Sequence, residues 1–375
     1  MRVLVIPDKF KGTLTAGQAA RAIGAALRRE RPDWKVTLCP VSDGGEGFVD
    51  CLVDATGGRK RRVATVDAIG RPKRAAYGIL GDGRTAVIGL TEASALADLP
   101  PSERNPLRTT NEGTGRLLRH AVAAGYRRLI VGLGGSATTE GGVGLAAGLG
   151  WRFLDARGRE IPLNGIGLAR LARIEPPSYK RPRLQVTVAV DVDNPLYGRR
   201  GAAFVFAGQK GASERQIRRL DANLRRLAAV YREFAGHSPH ARPGAGAAGG
   251  CGYGLMAFLG ARPEPGFEIV SRAINLRCLL RRHDLVITGE GALDATSLGG
   301  KAPVRIGQWC RELGKPCWAL AGVVHLPEKR LPFNRARGIV DGSADAPSAE
   351  DALARPRRWL ERTARAALRE WGNQL

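Results

Sequence analysis

The side chains of this 375-residue chain that could do chemistry gather where short apolar runs end. Five such runs, at residues 2–6, 35–39, 128–133, 284–288 and 317–321, are each followed by turn residues and then by helical periodicity. The segments after them read Pro7-Asp8-Lys9-Phe10-Lys11-Gly12; Pro40-Val41-Ser42-Asp43-Gly44-Gly45-Glu46-Gly47; Gly134-Gly135-Ser136-Ala137-Thr138-Thr139-Glu140-Gly141-Gly142; Gly289-Glu290-Gly291-Ala292-Leu293-Asp294; and Ala321-Gly322. Glycines let backbone amides approach an anion, lysines neutralise phosphate charge, and carboxylates hold Mg²⁺ or accept a proton from an alcohol. Together these are the parts of a phosphoryl-transfer site. No GxxxxGKS or GxxxxGKT occurs and the first run lacks GxGxxG, so neither a Walker NTPase nor a dinucleotide-binding turn is expected.

The lysines sharpen this reading. Of 59 basic residues only ten are Lys, and Lys9, Lys11, Lys210 and Lys301 all lie beside Gly-containing turns. A compact ammonium grips phosphate as a point charge in a way a planar guanidinium does not. A further pair of acids, Asp191 and Asp193, follows an apolar run at 184–190 in Asp191-Val192-Asp193-Asn194-Pro195-Leu196. Two Asp one residue apart share a face of an extended chain, whereas an Asx-turn before Pro195 would give them only a local role.

Such segments must be carried on a scaffold, and the alternation of strand and helix predicts an α/β fold with a doubly wound parallel sheet, ligands lying outside the carboxyl ends of its strands. Between about 59 and 104, short alternating strands at 62–66, 74–80 and 85–90 are separated by Gly and Pro turns, and the strand at 184–190 sits among helices that include the amphipathic stretch 213–234. The expected organisation is a first domain of residues 1–58, 105–150 and 283–375 and an inserted second α/β domain of residues 59–104 and 151–282. The Gly- and Ala-rich stretch 239–254 reads equally as a linker or as a tight loop.

Composition excludes several classes. With 43% hydrophobic and 25% charged residues the chain is globular, and its apolar runs are far below the roughly 18 residues of a membrane span. The start resembles no secretory signal, and a cytoplasmic location is expected. Six scattered cysteines without CxxC spacing predict free, mostly buried thiols, and His237 and His240 lie in a loop without other ligands. The charge of +24 raises nucleic acid as a partner, but the basic residues are dispersed on helix-like segments without an aromatic-interleaved pattern.

Taken in order, several segments resemble the bacterial glycerate kinases of the first class, which phosphorylate D-glycerate with ATP. They are 7–12, 42–47, 132–142, 191–196, Gln209-Lys210-Gly211-Ala212, 243–250, and Gly289-Glu290-Gly291 with Asp294 and Gly299-Gly300-Lys301, spanning nearly the whole chain. The resemblance implies two α/β domains, one flavodoxin-like and one inserted with a mixed sheet, with the active site between them. It also implies ATP and Mg²⁺ as cofactors, the 2-hydroxyl as acceptor and a role in organic-acid catabolism; from the charge and run lengths above no nucleic-acid or membrane partner is expected, and a monomer or homodimer is expected. The alternatives are a kinase for another small hydroxy acid and a basic nucleic-acid-associated protein. The chain departs from the family at Thr139-Glu140, where Asn-Asp is usual, at Ala207-Gly208 in place of Gly-Pro, and at Cys251, an ordinarily aliphatic position.

Within that reading Asp8, Asp43, Glu46 and Asp191 or Asp193 form the acidic half of the site. One of them orients or deprotonates the acceptor hydroxyl, although Ser42 and Asp43 would serve equally as helix caps. Lys9 and Lys11 join them as catalytic candidates and, with Arg71 and Asn194, are candidates for the substrate carboxylate. Gly134, Gly135, Ser136 and Thr138 with Gly289, Glu290 and Lys301 make the nucleotide side, and Asp191, Glu290 and Asp294 are the metal candidates. Gly299 and Gly300 permit close approach just before a helix that Pro303 can open, which puts Lys301 foremost.

Overall fold

The computed structural model describes residues 1–372 apart from Lys11, Asp43, Glu46, Lys180, Arg181, Gly342, Ala344 and Asp345. In chain order its strands are β1 (Arg2–Val5), β2 (Lys35–Leu38), β3 (Arg59–Val66), β4 (Pro72–Ile79), β5 (Thr85–Gly89), β6 (Arg128–Gly132), β7 (Arg152–Leu154), β8 (Arg173–Glu175), β9 (Gln185–Ala189), β10 (Arg262–Glu264), β11 (Leu285–Thr288), β12 (Ala292–Leu293), β13 (Cys317–Val324) and β14 (Arg335–Val340). The chain divides into two units, residues 1–43 with 267–375 and residues 44–266.

The first unit is a parallel sheet in the order β2-β1-β11-β13-β14, with β12 also pairing β13 further along it. This is the flavodoxin-like order, and its strands read as continuous apolar runs because both faces are covered. Val3, Leu4, Val5 and Ile6 are fully buried. Helix Ala16–Glu30 starts at a capping box in which Thr15 Oγ1 accepts from Gln18 N–H and Gln18 Oε1 from Thr15 N–H. Its Ala19, Ile23, Ala26 and Leu27 share a core with Leu360, Ala364, Leu368 and Trp371 of helix Pro356–Trp371. Arg365 Nε reaches Glu30 Oε1 at 2.6 Å along that seam.

The second unit holds a mixed sheet in the order β10-β9-β6-β5-β4-β3, parallel from β10 to β5 and antiparallel from β5 to β3, with β7 and β8 as a separate antiparallel pair. The expected division differs here. Strand β6 lies in this second sheet, Ile130 pairing with Val87 on one side and Thr187 on the other. Residues 105–150 and 44–58 therefore belong to the second unit, and 267–282 to the first. A buried parallel strand is apolar along its length, so its sequence carries no mark of which sheet it joins.

The amphipathic stretch forms helix Glu214–Ala235, opened by a Ser213/Gln216 capping box. Stretch 239–254 is a tight turn, exposed at residues 241–243 and buried from Gly244, that runs into helix Ala247–Leu259, with Ala248, Gly249 and Gly250 in left-handed conformations at its start. All six cysteines are unbridged. Among the described residues no helix is long and apolar enough to cross a membrane.

Candidate active site

Strand order reverses between β1 and β11, because the chain passes from β1 outward to β2 and returns to β11 on the other side. Asp8 N–H donates to Gly289 O at 2.8 Å, continuing the ladder of Ile6 N–H on Ile287 O at 2.7 Å. The segments that follow the two strands are thereby laid side by side. Asp8 is buried and its Oδ1 accepts from Lys9 N–H at 2.7 Å. Val41 N–H donates to Pro7 O, which brings Ser42 to the same edge with its Oγ buried and unpartnered. Three residues expected here, Lys11, Asp43 and Glu46, lie outside the described residues.

On the β11 side Glu290 is buried, one oxygen, Oε2, accepting from Lys301 Nζ at 3.2 Å and the other, Oε1, without a partner. Burial pushes its carboxyl above the usual range, with Ser297 and Lys301 opposing that shift. Lys301 is the residue that precedes helix Ala302–Glu312, with Pro303 in its first turn. Gly300 holds φ at 105°, a conformation that favours glycine. A Cβ at Gly299 or Gly300 would meet nothing within 4 Å, so the flank of Lys301 is open. Asp294 is differently occupied. Its Oδ1 accepts from Thr296 Oγ1 at 2.6 Å, Thr296 N–H at 2.8 Å and Ser297 N–H at 3.2 Å, bonds that hold its carboxyl below the usual range.

In the second unit the glycines have a packing cause. A Cβ on Gly134 would stand 2.3 Å from Gly45 Cα, and one on Gly132 would stand 2.8 Å from Gly44 O. Gly134 N–H donates to Gly44 O at 3.2 Å. Residues 44–45 thus cross the backbone just past β6. We expect Gly134→Ala to destabilise the protein by about 1–3 kcal/mol, read in denaturant melts, because backbone must move to admit the methyl. An unchanged midpoint would contradict that crossing.

The turn itself is pinned internally. Ala137 N–H donates to Ser94 O at 2.9 Å and Thr138 N–H to Ser136 Oγ at 3.2 Å, and the two hydroxyls of Ser136 and Thr138 bond each other at 2.9 Å. Thr138 also receives Asn111 Nδ2 on its hydroxyl and Lys210 Nζ on its carbonyl, each at 2.5 Å. Asn111 and Lys210 were not among the expected site residues, although the scarcity of lysine did single out Lys210. Asn111 gives no such signal, since an Asn before Glu112 reads as an ordinary helix cap.

The remaining candidates are spread over this unit. Strand β9 ends at Ala189, so the expectation that Asp191 and Asp193 share a strand face has no strand to run on. Both are exposed, and Asp191 Oδ1 accepts from Gly266 N–H at 3.1 Å. Asn194 Nδ2 donates to Arg200 O at 2.8 Å within its own loop. Arg71 sits past the β3–β4 turn with Nε 2.6 Å from Asp67 Oδ2 and Nη1 3.0 Å from Glu103 Oε2. Within the first unit, then, Asp8, Lys9, Gly289, Glu290 and Lys301 share one sheet edge. Within the second, Gly134–Thr138 and Asp191 follow the neighbouring strands β6 and β9.

In open α/β sheets ligands bind where strand order reverses, and the paired acid and lysine at this edge suit phosphate. Known proteins agree with that chemistry. Residues 3–372 match the Glycerate kinase family. A glycerate kinase of Halalkalibacterium halodurans is 44% identical over 323 residues, 85% of each chain. A glycerate 2-kinase of Escherichia coli is 42% identical over 325 residues, covering 86% of this chain and 85% of the relative. A crystal structure of a Salmonella typhimurium protein assigned as glycerate kinase 2 superposes with a TM-score of 0.84 at 38% identity, each chain covered in full. A match along nearly the whole length, in sequence and in fold alike, makes this chain a member of the glycerate kinase family.

Proposed function

We propose that the protein transfers the γ-phosphoryl group of ATP to the 2-hydroxyl of D-glycerate, giving 2-phosphoglycerate and ADP. The observation that carries this reading is the bond from Asp8 N–H to Gly289 O, which sets Asp8 and Lys9 beside Glu290 at the reversal of strand order. In this scheme Asp8 orients the hydroxyl and takes its proton as the new O–P bond forms and the bond between the β- and γ-phosphates breaks. Lys9, one residue beyond Asp8 at the same sheet edge, is the cation for the glycerate carboxylate. Lys301 neutralises charge on the transferred group, and the amides of Gly135 and Ser136 remain for the nucleotide, those of Gly134, Ala137 and Thr138 being committed within the protein. The reading requires a compartment that holds ATP, and the cytoplasm is our assignment.

Magnesium fits the residues present. Among the described residues no cluster of three His, Cys, Asp or Glu side chains forms a cage, but Mg²⁺ bound with a nucleotide needs only one or two carboxylates besides the phosphates. Within the first unit Glu290, with a buried unpartnered oxygen, would hold it, Asp294 being drawn into its own turn; within the second, Asp191 is the candidate acid. When bound, the ion neutralises charge on the β- and γ-phosphates.

Since burial raises the folded-state pKa of Glu290, ionising it costs stability as pH rises above the ordinary carboxyl value of 4.5. We therefore expect Glu290→Gln to melt at or above the wild-type temperature at neutral pH, while turnover falls and its dependence on Mg²⁺ changes. A lower melting temperature would contradict the burial cost. The function itself is tested by a coupled ADP-release assay over a series of small hydroxy acids, with the product identified by NMR. Glycerate-dependent turnover yielding the 2-phosphate supports the reading, and preference for another acid or another hydroxyl overturns it.

A further inference from the structure

Behind the Gly134–Thr138 turn lies a closed set of polar groups that the scheme above does not use. Lys210 is 3% exposed, and Asn111, Thr138, Thr139 and Glu140 are 0% exposed. Lys210 Nζ donates to Thr138 O at 2.5 Å. Asn111 Nδ2 faces Thr138 Oγ1 at 2.5 Å, Glu140 Oε1 at 2.8 Å and Cys251 Sγ at 2.7 Å. Glu140 Oε2 accepts from Gly144 N–H at 3.0 Å, so this carboxylate also anchors the helix that follows the turn. The neighbouring chain leaves room for the Thr138 carbonyl, since a Cβ on Gly249 would stand 2.0 Å from it.

An ammonium taken wholly out of water is costly unless it is paired and hydrogen-bonded, and an apolar side chain would fill the space at less expense. In a chain that uses Arg almost everywhere, a buried Lys at this carbonyl calls for a reason. The titratable groups facing it are Glu140, from the same connection as Thr138, and Cys251, from helix Ala247–Leu259. Burial pushes the Cys251 thiol far up and keeps it neutral; burial raises the Glu140 carboxyl too, but bonds from Gly144 N–H and Asn111 oppose that rise, so Glu140 is the opposing charge.

We propose that Lys210 is a positioning residue for phosphoryl transfer: its charged bond to the Thr138 carbonyl, backed by Glu140, fixes the turn that presents the Gly135 and Ser136 amides. This rests on the reading of that turn as the nucleotide side of the site. Burial brings the Lys210 pKa down to about 8 from 10.5, so the charge on the bond is lost as pH rises through that value. Turnover then falls. Stability moves the other way, because between those two values the unfolded chain binds the proton that the folded one has released. A purely structural lysine would make activity follow the folded fraction instead.

The test is the pH profile of kcat beside the melting temperature for wild type, Lys210→Met, Glu140→Gln and Ser136→Ala. Wild-type kcat should fall through pH 8 while the melting temperature holds or rises. Lys210→Met should lower kcat by about thirtyfold or more and lose that alkaline limb. If Lys210→Met retains wild-type kcat or the same limb, the proposal is overturned. Glu140→Gln removes the opposing charge and should move the limb to lower pH; an unmoved limb also overturns it, even if Lys210→Met fails to fold. Ser136→Ala addresses the underlying reading separately, because it removes the hydroxyl that holds Thr138 N–H and Thr138 Oγ1 and so loosens the turn that presents the amides without touching Lys210. Unchanged kcat and ATP KM in that variant remove the turn from the site and the proposal with it, whereas a loss there with normal Lys210→Met kinetics removes Lys210 alone.

Discussion

Lys301→Ala is expected to lower kcat by about a hundredfold or more while leaving the melting temperature near that of wild type. The two halves of this result have separate causes. On the stability side, the Lys301 side chain is 41% exposed, which weakens its 3.2 Å pair with Glu290, and the buried carboxyl, already raised by burial, can take up a proton when the lysine is removed. Against that small gain stands the unfavourable position of a cation just before the start of helix Ala302–Glu312, by ~0.3–1 kcal/mol, so the two nearly cancel. Chemistry has no such cancellation. The transferred phosphoryl group spreads negative charge over its oxygens, and a preorganised ammonium there acts only in the reaction. Gly299 and Gly300 leave the lysine's flank open, so a bound phosphate could approach it without moving protein backbone. Measurement of kcat, ATP binding and melting in parallel checks this. Full activity would remove Lys301 from the site, and a loss of activity that merely tracks a falling melting temperature would make it a structural residue.

The fold was legible where each strand announces itself locally. The runs at 3–6 and 285–287 are apolar throughout and are followed within three residues by glycine, acid or lysine, and both lie in strands of one parallel sheet. Sheet membership is a tertiary matter. The run at 128–133 looks the same, yet its strand pairs with β5 and β9, whose sequences lie far to either side. Candidate site residues followed the same rule. Asp8, Glu290 and Lys301 were readable because they follow strands or open a helix. Asn111 was not, since its bonds reach 27, 29 and 140 residues away to Thr138, Glu140 and Cys251. The glycines of residues 132–135 carried two meanings at once. Phosphate approach and backbone crossing both call for the missing Cβ, and the 2.3 Å clearance to Gly45 identifies crossing as one cause at Gly134. The departures at Thr139 and Glu140 acquired a context only when both side chains were found fully buried, Glu140 as the anchor of Gly144 and the partner of Asn111.

Asp8→Asn and Asp191→Asn together should separate the acid that handles the hydroxyl proton from the acid that serves the metal. Each substitution removes the charge and keeps the size of the side chain. Asp8 Oδ1 accepts from Lys9 N–H and Asp191 Oδ1 accepts from Gly266 N–H, and an Asn can supply the same acceptor in each place. Melting should therefore shift by no more than the roughly 1 kcal/mol that loss of a capping interaction costs. For Asp8, buried at the strand reversal, loss of the base should lower kcat by about 10²–10⁴-fold with a far smaller change in glycerate KM. Extra Mg²⁺ should not restore it, because the missing function is a proton acceptor. Asp191→Asn should instead raise the Mg²⁺ concentration needed for half-maximal rate, and part of its lost turnover should return as the ion is added. If added Mg²⁺ rescues Asp8→Asn but not Asp191→Asn, the two roles are exchanged. If both variants keep kcat within a few-fold of wild type, the acidic half of the site lies elsewhere on these edges.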